Sequence, residues 1–231
     1  MVFPMALSIV CQPPLLVARF AAPQRFLSWS LNRPGYQIAD TVVWLEVRNA
    51  DLPLGRDAKE LLVSKISDAG MDAIGLLTSH PVSQHHVRNS EIEGVRATCL
   101  ATVGVSNAER VGSRRQLADS IYGTINILAH VSEPLSDAAL VEAVSVIAQA
   151  RTAAMLDAAL LVDSGFATGT GTDCIVVGSP VSERQAQFSG LHTAIGEALG
   201  AAVYDAVHAG TEASKYTRVS PCQKPDWLSK L

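Results

Sequence analysis

The apolar residues of this chain fall in short runs, and none reaches the roughly 18 uninterrupted apolar residues that a membrane-spanning helix needs. Each run is closed by proline, glycine, asparagine or a charged residue. Three come early: LLVARF (15–20), RFLSWS (25–30) and TVVWLEV (41–47). They are rich in β-branched and aromatic residues and are bounded by turn signals, so they predict strands. The first helical pattern comes only after them, from Asp57 to Gly70, with Leu62, Ile66 and Ala69 on one face and Gly70 closing it. Strands grouped ahead of the first helix, then strands and helices mixed, predict an α+β class. The expected architecture is one domain with a mixed sheet and flanking helices. At 231 residues the chain can bury a core of that kind without disulfide or metal staples.

Further along, 73–78, 95–105, 125–130 and 174–179 read as buried strands. Ser106 to Glu109 has capping-box spacing, which predicts the start of a short helix. The longest helix is expected at about 136–160, opened by Pro134 and Ser136, with Leu140, Val144, Ile147, Ala148, Met155 and Ala158 as its apolar stripe. A last helix spans about 191–208, and the chain turns polar from 210. The expected organisation is therefore 1–39 as strands or an extension packed on the core, 40–208 as the main domain, and 209–231 as a loosely attached polar tail.

Charged residues make up only 17% of the chain, against about 25% in an average protein. The net charge is −4 and the basic residues are scattered, Arg114-Arg115 being the densest cluster. That leaves no electrostatic footprint for nucleic acid. The apolar first twenty residues are interrupted by Pro4, Gln12, Pro13 and Pro14, and lack a basic region and a small-residue cleavage site. The expectation is a cytoplasmic protein that engages neither membrane nor nucleic acid. Its oligomeric state is left open, a homo-oligomer included. Cys11, Cys99, Cys174 and Cys222 are far apart, with Cys99 and Cys174 inside apolar runs, so free buried thiols are expected for those two.

The segment ATGTGTDCIVV (167–177) carries the densest chemical signal. Gly169 and Gly171 would let backbone N–H groups approach a ligand, as an oxyanion site requires. Thr168, Thr170 and Thr172 supply hydroxyls, and Asp173 can orient or deprotonate a partner. A strand follows instead of a helix, which argues against a dinucleotide loop; a Thr-rich turn is the plainer alternative. Arg151 falls on the apolar stripe of the long helix, where a guanidinium needs a carboxylate or an anionic ligand, and Asp173 is one candidate. Surface snorkelling is the other. His192 would sit in the first turn of the last helix, where the positive helix end disfavours imidazolium and leaves a neutral base. Ser79 and His80 follow a buried strand, as loop-borne site residues do. Ser106, Asn107 and Asn126 are polar groups beside or within strands. His85-His86 lack any metal-ligand spacing, so no metal is expected.

Taken together, GVRATCLATVGVSNAERVG (94–112), GTINILAHVSEPLSDAALVEAV (123–144), ARTAAMLDA (150–158), ATGTGTDCIVV (167–177) and HTAIGEALGAAVYDAV (192–207) resemble the adenosylcobinamide amidohydrolase family, in order and spacing, over about residues 40–208. The resemblance implies hydrolysis of the amide that joins a corrin propionate arm to aminopropanol, giving adenosylcobyric acid and 1-amino-2-propanol, a cobamide salvage step. It implies a corrinoid as the small-molecule partner and no cofactor beyond the cobalt that arrives within the substrate. Two positions depart from the family pattern: Leu191 replaces a usual basic residue, and Arg151 a usual lysine. The mechanism expected on this basis places the oxyanion on Gly169–Thr172 and gives His192 the roles of base and then acid. Asp173 would pair with His192 or Arg151, and Asn107 and Asn126 would hold peripheral amides of the corrin. The alternatives are a corrinoid-binding protein without hydrolysis, or an amidase of another small amide.

Overall fold

A computed structural model describes residues 7–53, 55–113 and 123–218. Its strands are β1 (Leu7–Gln12), β2 (Leu15–Ser28), β3 (Gly35–Glu46), β4 (Ile74–Thr78), β5 (His86–Ile92), β6 (Val95–Val103), β7 (Ala108–Glu109), β8 (Ile125–Val131), β9 (Leu161–Val162), β10 (Gly165–Phe166), β11 (Gly169–Thr170) and β12 (Cys174–Pro180). Its α-helices are α1 (Ala58–Asp68), α2 (Asp137–Asp157) and α3 (Ala194–Arg218). Eight strands form one mixed sheet in the order β4-β3-β2-β12-β8-β6-β5, with β1 paired to β2. The pairs β3–β4 and β12–β8 are parallel and the remaining pairs antiparallel. The α+β class with a mixed sheet and flanking helices is what the sequence predicts.

Side-chain alternation divides the core. Ile125, Ile127, Ala129 and Val131 of β8, with Ile175 and Val177 of β12, pack under Leu140 and Ile147 of α2 and Leu199 and Val203 of α3. Val43 and Leu45 pack under Leu62 and Ile66 of α1. The opposite face carries Phe20, Phe26, Trp44, Leu76, Leu100, Leu128 and Val176. The sheet curls around this second cluster until β4, at one edge, reaches β8, where Asn126 Nδ2 donates to Leu77 O at 2.7 Å. A bulge between Arg19 and Gln24 lets β2 bend through this curve.

Local rules account for the helix ends. Asp57 caps α1 by accepting from the N–H groups of Lys59 and Glu60, and Gly70 follows with φ +66°. Ser136 accepts from Ala139 N–H at the start of α2. Among the described helices, α2 is long and apolar enough to cross a bilayer. Here its buried residues, Leu140, Ala143, Ile147 and Met155 among them, pack in the core beneath the sheet and α3.

Three expectations are corrected. No helix starts at 106–109; Ala108–Glu109 is β7, paired with Gly169–Thr170 of β11. The long-range ladder captures backbone groups that a local capping box would have used. LLVARF and the first four residues of RFLSWS belong to one strand, β2, which the bulge carries past Pro23, while Trp29 and Ser30 lie beyond its end. The last helix starts at Ala194 and runs on to Arg218 instead of stopping at 208. Gly210, Thr211 and Ser214 are buried in it, and Ser214 Oγ donates to Val103 O at 2.6 Å. A loose arm therefore does not begin at 209. Residues 219–231, Cys222 included, and the Arg114-Arg115 pair lie outside the described residues. Cys99 and Cys174 are buried free thiols, as expected.

Candidate active site

The TGTGTD segment is built around the carboxylate of its own aspartate. Asp173 accepts from Thr170 N–H at 3.1 Å and from Ile125 N–H at 3.1 Å. The Thr170 hydroxyl also donates to it. Arg151 Nη1 reaches its Oδ2 at 2.8 Å, with side chains only 18% (Arg151) and 7% (Asp173) exposed. The expected Arg151–Asp173 pair thus forms. Gly169 is obligatory here, since a Cβ would lie 2.6 Å from Asp173 Oδ2 and 3.3 Å from Arg151 Cζ. Burial raises the Asp173 carboxyl above its usual range, while Arg151, the Thr170 hydroxyl and amide, and the Ile125 amide pull against that shift.

Strand ends place the rest. β8 and β12 run parallel, so Ile125 and Asp173 begin at the same end of the sheet, and the curl brings the end of β4 there too. Thr124 Oγ1 donates to Thr172 O at 2.8 Å, and Thr172 Oγ1 to Gly123 O at 3.0 Å, which stitches the two loops together. Trp29 Nε1 donates to Asp173 O at 2.9 Å from the β2–β3 connection. These segments enclose a cavity of about 530 Å³. Its walls are mostly apolar, with Trp29, Leu31, Val47, Leu52, Leu76 and Leu77 among them.

Six residues singled out from the sequence line this cavity: Ser79, Asn107, Asn126, Gly171, Thr172 and Asp173. Gly169, Thr170 and Arg151 stand directly behind it, bonded to or packed on Asp173. Thr168 is buried and turned into the scaffold, its Oγ1 accepting from Val111 N–H at 2.8 Å. Ser106 and His80 flank the lining residues: a Cβ on Gly123 would meet Ser106 Oγ at 2.4 Å, and one on Gly104 would meet His80 Cβ at 3.1 Å. Burial lowers the His80 imidazole below its ordinary value, so it is neutral at pH 7. Asn126 spends its amide on Leu77 O and the Thr124 hydroxyl, so it acts as the clasp of the curled sheet.

His192 is the site residue that the fold moves away. It is exposed and precedes α3, where Thr193 Oγ1 accepts from Gly196 N–H. The segment leading to it is fastened at the far end of the molecule: Ala186 bridges Leu135, and Ser189 bonds Glu142 and Ala139 O. Ala139 and Arg151 are about 18 Å apart along α2 at ~1.5 Å per residue, and β12 separates the same two ends by roughly 20 Å. His192 therefore does not pair with Asp173. A helix-start histidine can be read from sequence, but which end of the sheet the helix starts from cannot. Trp29, Ser30, Arg48, Thr78, Gly123 and Thr124 line the cavity without having been singled out, and Cys174, expected only as a buried thiol, lines it too. The GTIN stretch of the sequence holds the one signal that pointed to any of them, Gly123 and Thr124. Burial pushes the Cys174 thiol up to about 12, so it stays protonated. No group of described residues has the make-up of a metal site.

Residues 3–218 match the model of the adenosylcobinamide amidohydrolase family. The chain belongs to that family. A curated adenosylcobinamide amidohydrolase of Halobacterium salinarum is 32% identical over 163 residues, covering 66% of each chain. This chain thus spans just under two thirds of that relative's length. The PH0078 protein of Pyrococcus horikoshii OT3, of solved structure, aligns over 88% of this chain and 82% of its own at 10% identity, with a TM-score of 0.42. That likeness is too distant to inform the fold or the activity. The family match runs well beyond 40–208 at both ends and takes in β1, β2 and the whole of α3.

Proposed function

We propose that the chain hydrolyses the aminopropanol amide of adenosylcobinamide, or of a closely related corrinoid, releasing adenosylcobyric acid and 1-amino-2-propanol. The observation that carries this is the coincidence of the cavity with the family's TGTGTD segment, whose Gly171, Thr172 and Asp173 form its wall. A volume of about 530 Å³ suits one amide arm and not a whole corrin. The macrocycle then rests at the mouth, where Trp29 and Leu31 are half exposed. Both amino acids can cover an apolar ring edge.

Water attacks the amide carbon, the C–N bond breaks, and the products are a carboxylic acid and an amine. Asp173 is the proposed general base: it is the carboxylate among the described residues of the cavity wall, and its burial strengthens it as a proton acceptor. Arg151 and Thr170 hold that carboxylate in place, and the Gly171–Thr172 backbone receives the carbonyl oxygen. The Thr172 hydroxyl and Ser79 lie within reach of the arm. The cobalt enters with the substrate, and the proposed chemistry calls on no further cofactor. The place in metabolism that follows is salvage of incomplete cobamides.

The test is incubation of the purified protein with adenosylcobinamide and mass spectrometry of the products. Adenosylcobyric acid and aminopropanol should appear, and Asp173→Asn should slow their release by about 10²–10⁴. A shifted corrin absorbance with no product would instead leave a corrinoid-binding protein.

A further inference from the structure

One polar group in the cavity wall is left without a partner by the fold. Asn107 is 3% exposed and lines the cavity, yet its Oδ1 makes no hydrogen bond among the described residues. A buried amide oxygen in that state costs stability, so folding alone does not account for asparagine here; Oδ1 can only accept, and the donor this side chain brings to the cavity is Nδ2. Glycine at 123 lets the backbone pass close to its oxygen, and Gly171 lies beside its nitrogen. A Cβ on Gly123 would come within 2.9 Å of Asn107 Oδ1 and 2.9 Å of Gly104 O, and one on Gly171 would stand 3.6 Å from Asn107 Nδ2. The Nδ2 end therefore lies beside the Gly171 backbone, where the proposed hydrolysis sets the carbonyl oxygen.

The geometry points to Asn107 as a side-chain oxyanion donor, its Nδ2–H group bonding the carbonyl oxygen of the scissile amide as that carbon becomes tetrahedral. This rests on the hydrolysis proposed above, and it replaces the peripheral-amide role that the sequence suggests. Residue chemistry fits the task. An amide donates without carrying a charge, so it does not compete with Arg151 for the nearby Asp173, as a lysine or arginine would. It also stays a donor across the pH range in which the Asp173 carboxylate is ionised. Donors placed where charge develops act mainly in the transition state and not in the ground state.

That distinction supplies the test, which is steady-state kinetics with adenosylcobinamide for the wild type, Asn107→Ala and Asn107→Asp. Loss of the donor should lower kcat by about 10²–10³ and leave KM within about threefold. The aspartate variant, almost isosteric, should fall at least as far because its carboxylate opposes the developing oxyanion. The alanine variant should melt within a few degrees of the wild type, since Oδ1 has no hydrogen-bond partner among the described residues, whereas the aspartate variant buries a second carboxylate in the wall that holds Asp173 and should melt lower. A kcat within about threefold of wild type in either variant overturns the inference. So does a raised KM with kcat retained, which would place Asn107 on an unreacting amide. Absence of product with the wild type would refute the hydrolysis itself, an outcome distinct from these two.

Discussion

Replacing Arg151 by methionine removes the cation from a pair whose carboxylate is almost wholly buried. Asp173 is 7% exposed and keeps its Thr170 and Ile125 donors, but its one charged partner, 2.8 Å away, is gone. Breaking a buried pair from one side costs about 3–5 kcal/mol. The 18% exposure of Arg151 admits some water, which favours the lower end, about 3 kcal/mol. A chain of this length loses about 2–4 °C of melting temperature per kcal/mol, so a fall of about 6–12 °C is expected at pH 7. Lysine should behave differently. It keeps the charge and removes Arg151 Nε, which is buried without a partner, so Arg151→Lys should stay within about 1 kcal/mol of wild type. The assay is thermal and urea unfolding of both variants, alongside Asp173→Asn and the Arg151→Met/Asp173→Asn double variant. The double variant should lose clearly less than the sum of the two single losses, because each single variant leaves the other group stranded and the double variant leaves neither. A methionine variant within about 1 kcal/mol of wild type would refute the idea that this ion pair organises the loop.

Four further outcomes follow from the same structure. His130 is fully buried against Phe20, its Nε2 is 2.8 Å from Gln24 Oε1, and burial lowers its pKa to about 3. The unfolded chain binds this proton below its ordinary pKa of about 6.5 and the native state does not, so His130 costs stability as the pH falls from that value toward 3. Between pH 7 and pH 5 the cost is about 2 kcal/mol, and urea unfolding of His130→Leu should show a pH dependence smaller by that amount. His192→Ala should leave turnover within about threefold of wild type, since the side chain is exposed at the far end of the sheet; a loss of orders of magnitude would restore it to the site. Gly196→Ala would put a Cβ 2.2 Å from Gly190 O, a backbone atom that cannot swing aside, and should cost at least about 1–3 kcal/mol in chemical unfolding. Asn126→Leu would strand Leu77 O and open the clasp between β4 and β8, lowering stability by about 1–3 kcal/mol and weakening corrinoid binding measured by absorbance titration.

Local rules carry a good part of this fold. The caps of α1 and α2, the strand runs at 74–78, 95–103 and 125–131, and the buried thiols follow from propensity and periodicity that act over a few residues. Arg151 also betrays itself in one dimension, because a cation on an apolar stripe demands an anion. Where the competing interaction is distant in sequence, local rules fail. Residues 106–109 have the letters of a helix cap, but their backbone pairs with Gly169 and Thr170, some sixty positions on. His192 has the chemistry of a base, but a helix start can lie at either end of a sheet, and the contacts of Ser189 with Glu142 and Ala139 put this one at the end opposite Asp173.

By itself, then, the sequence determined the class of the fold and most of its long strands and helices, that Arg151 needs Asp173 or something like it, and that TGTGTD gathers glycines, hydroxyls and a carboxylate in one short segment. These are properties of spacing and residue type. Only the tertiary structure decided what surrounds that loop. The parallel start of β8 and β12 and the curl of β4 onto Asn126 bring Trp29, Arg48, Thr78 and Asn107 to one cavity from segments up to about 78 positions apart. Sheet order and curvature are set by the sum of many weak long-range contacts, and no single stretch of the chain encodes them.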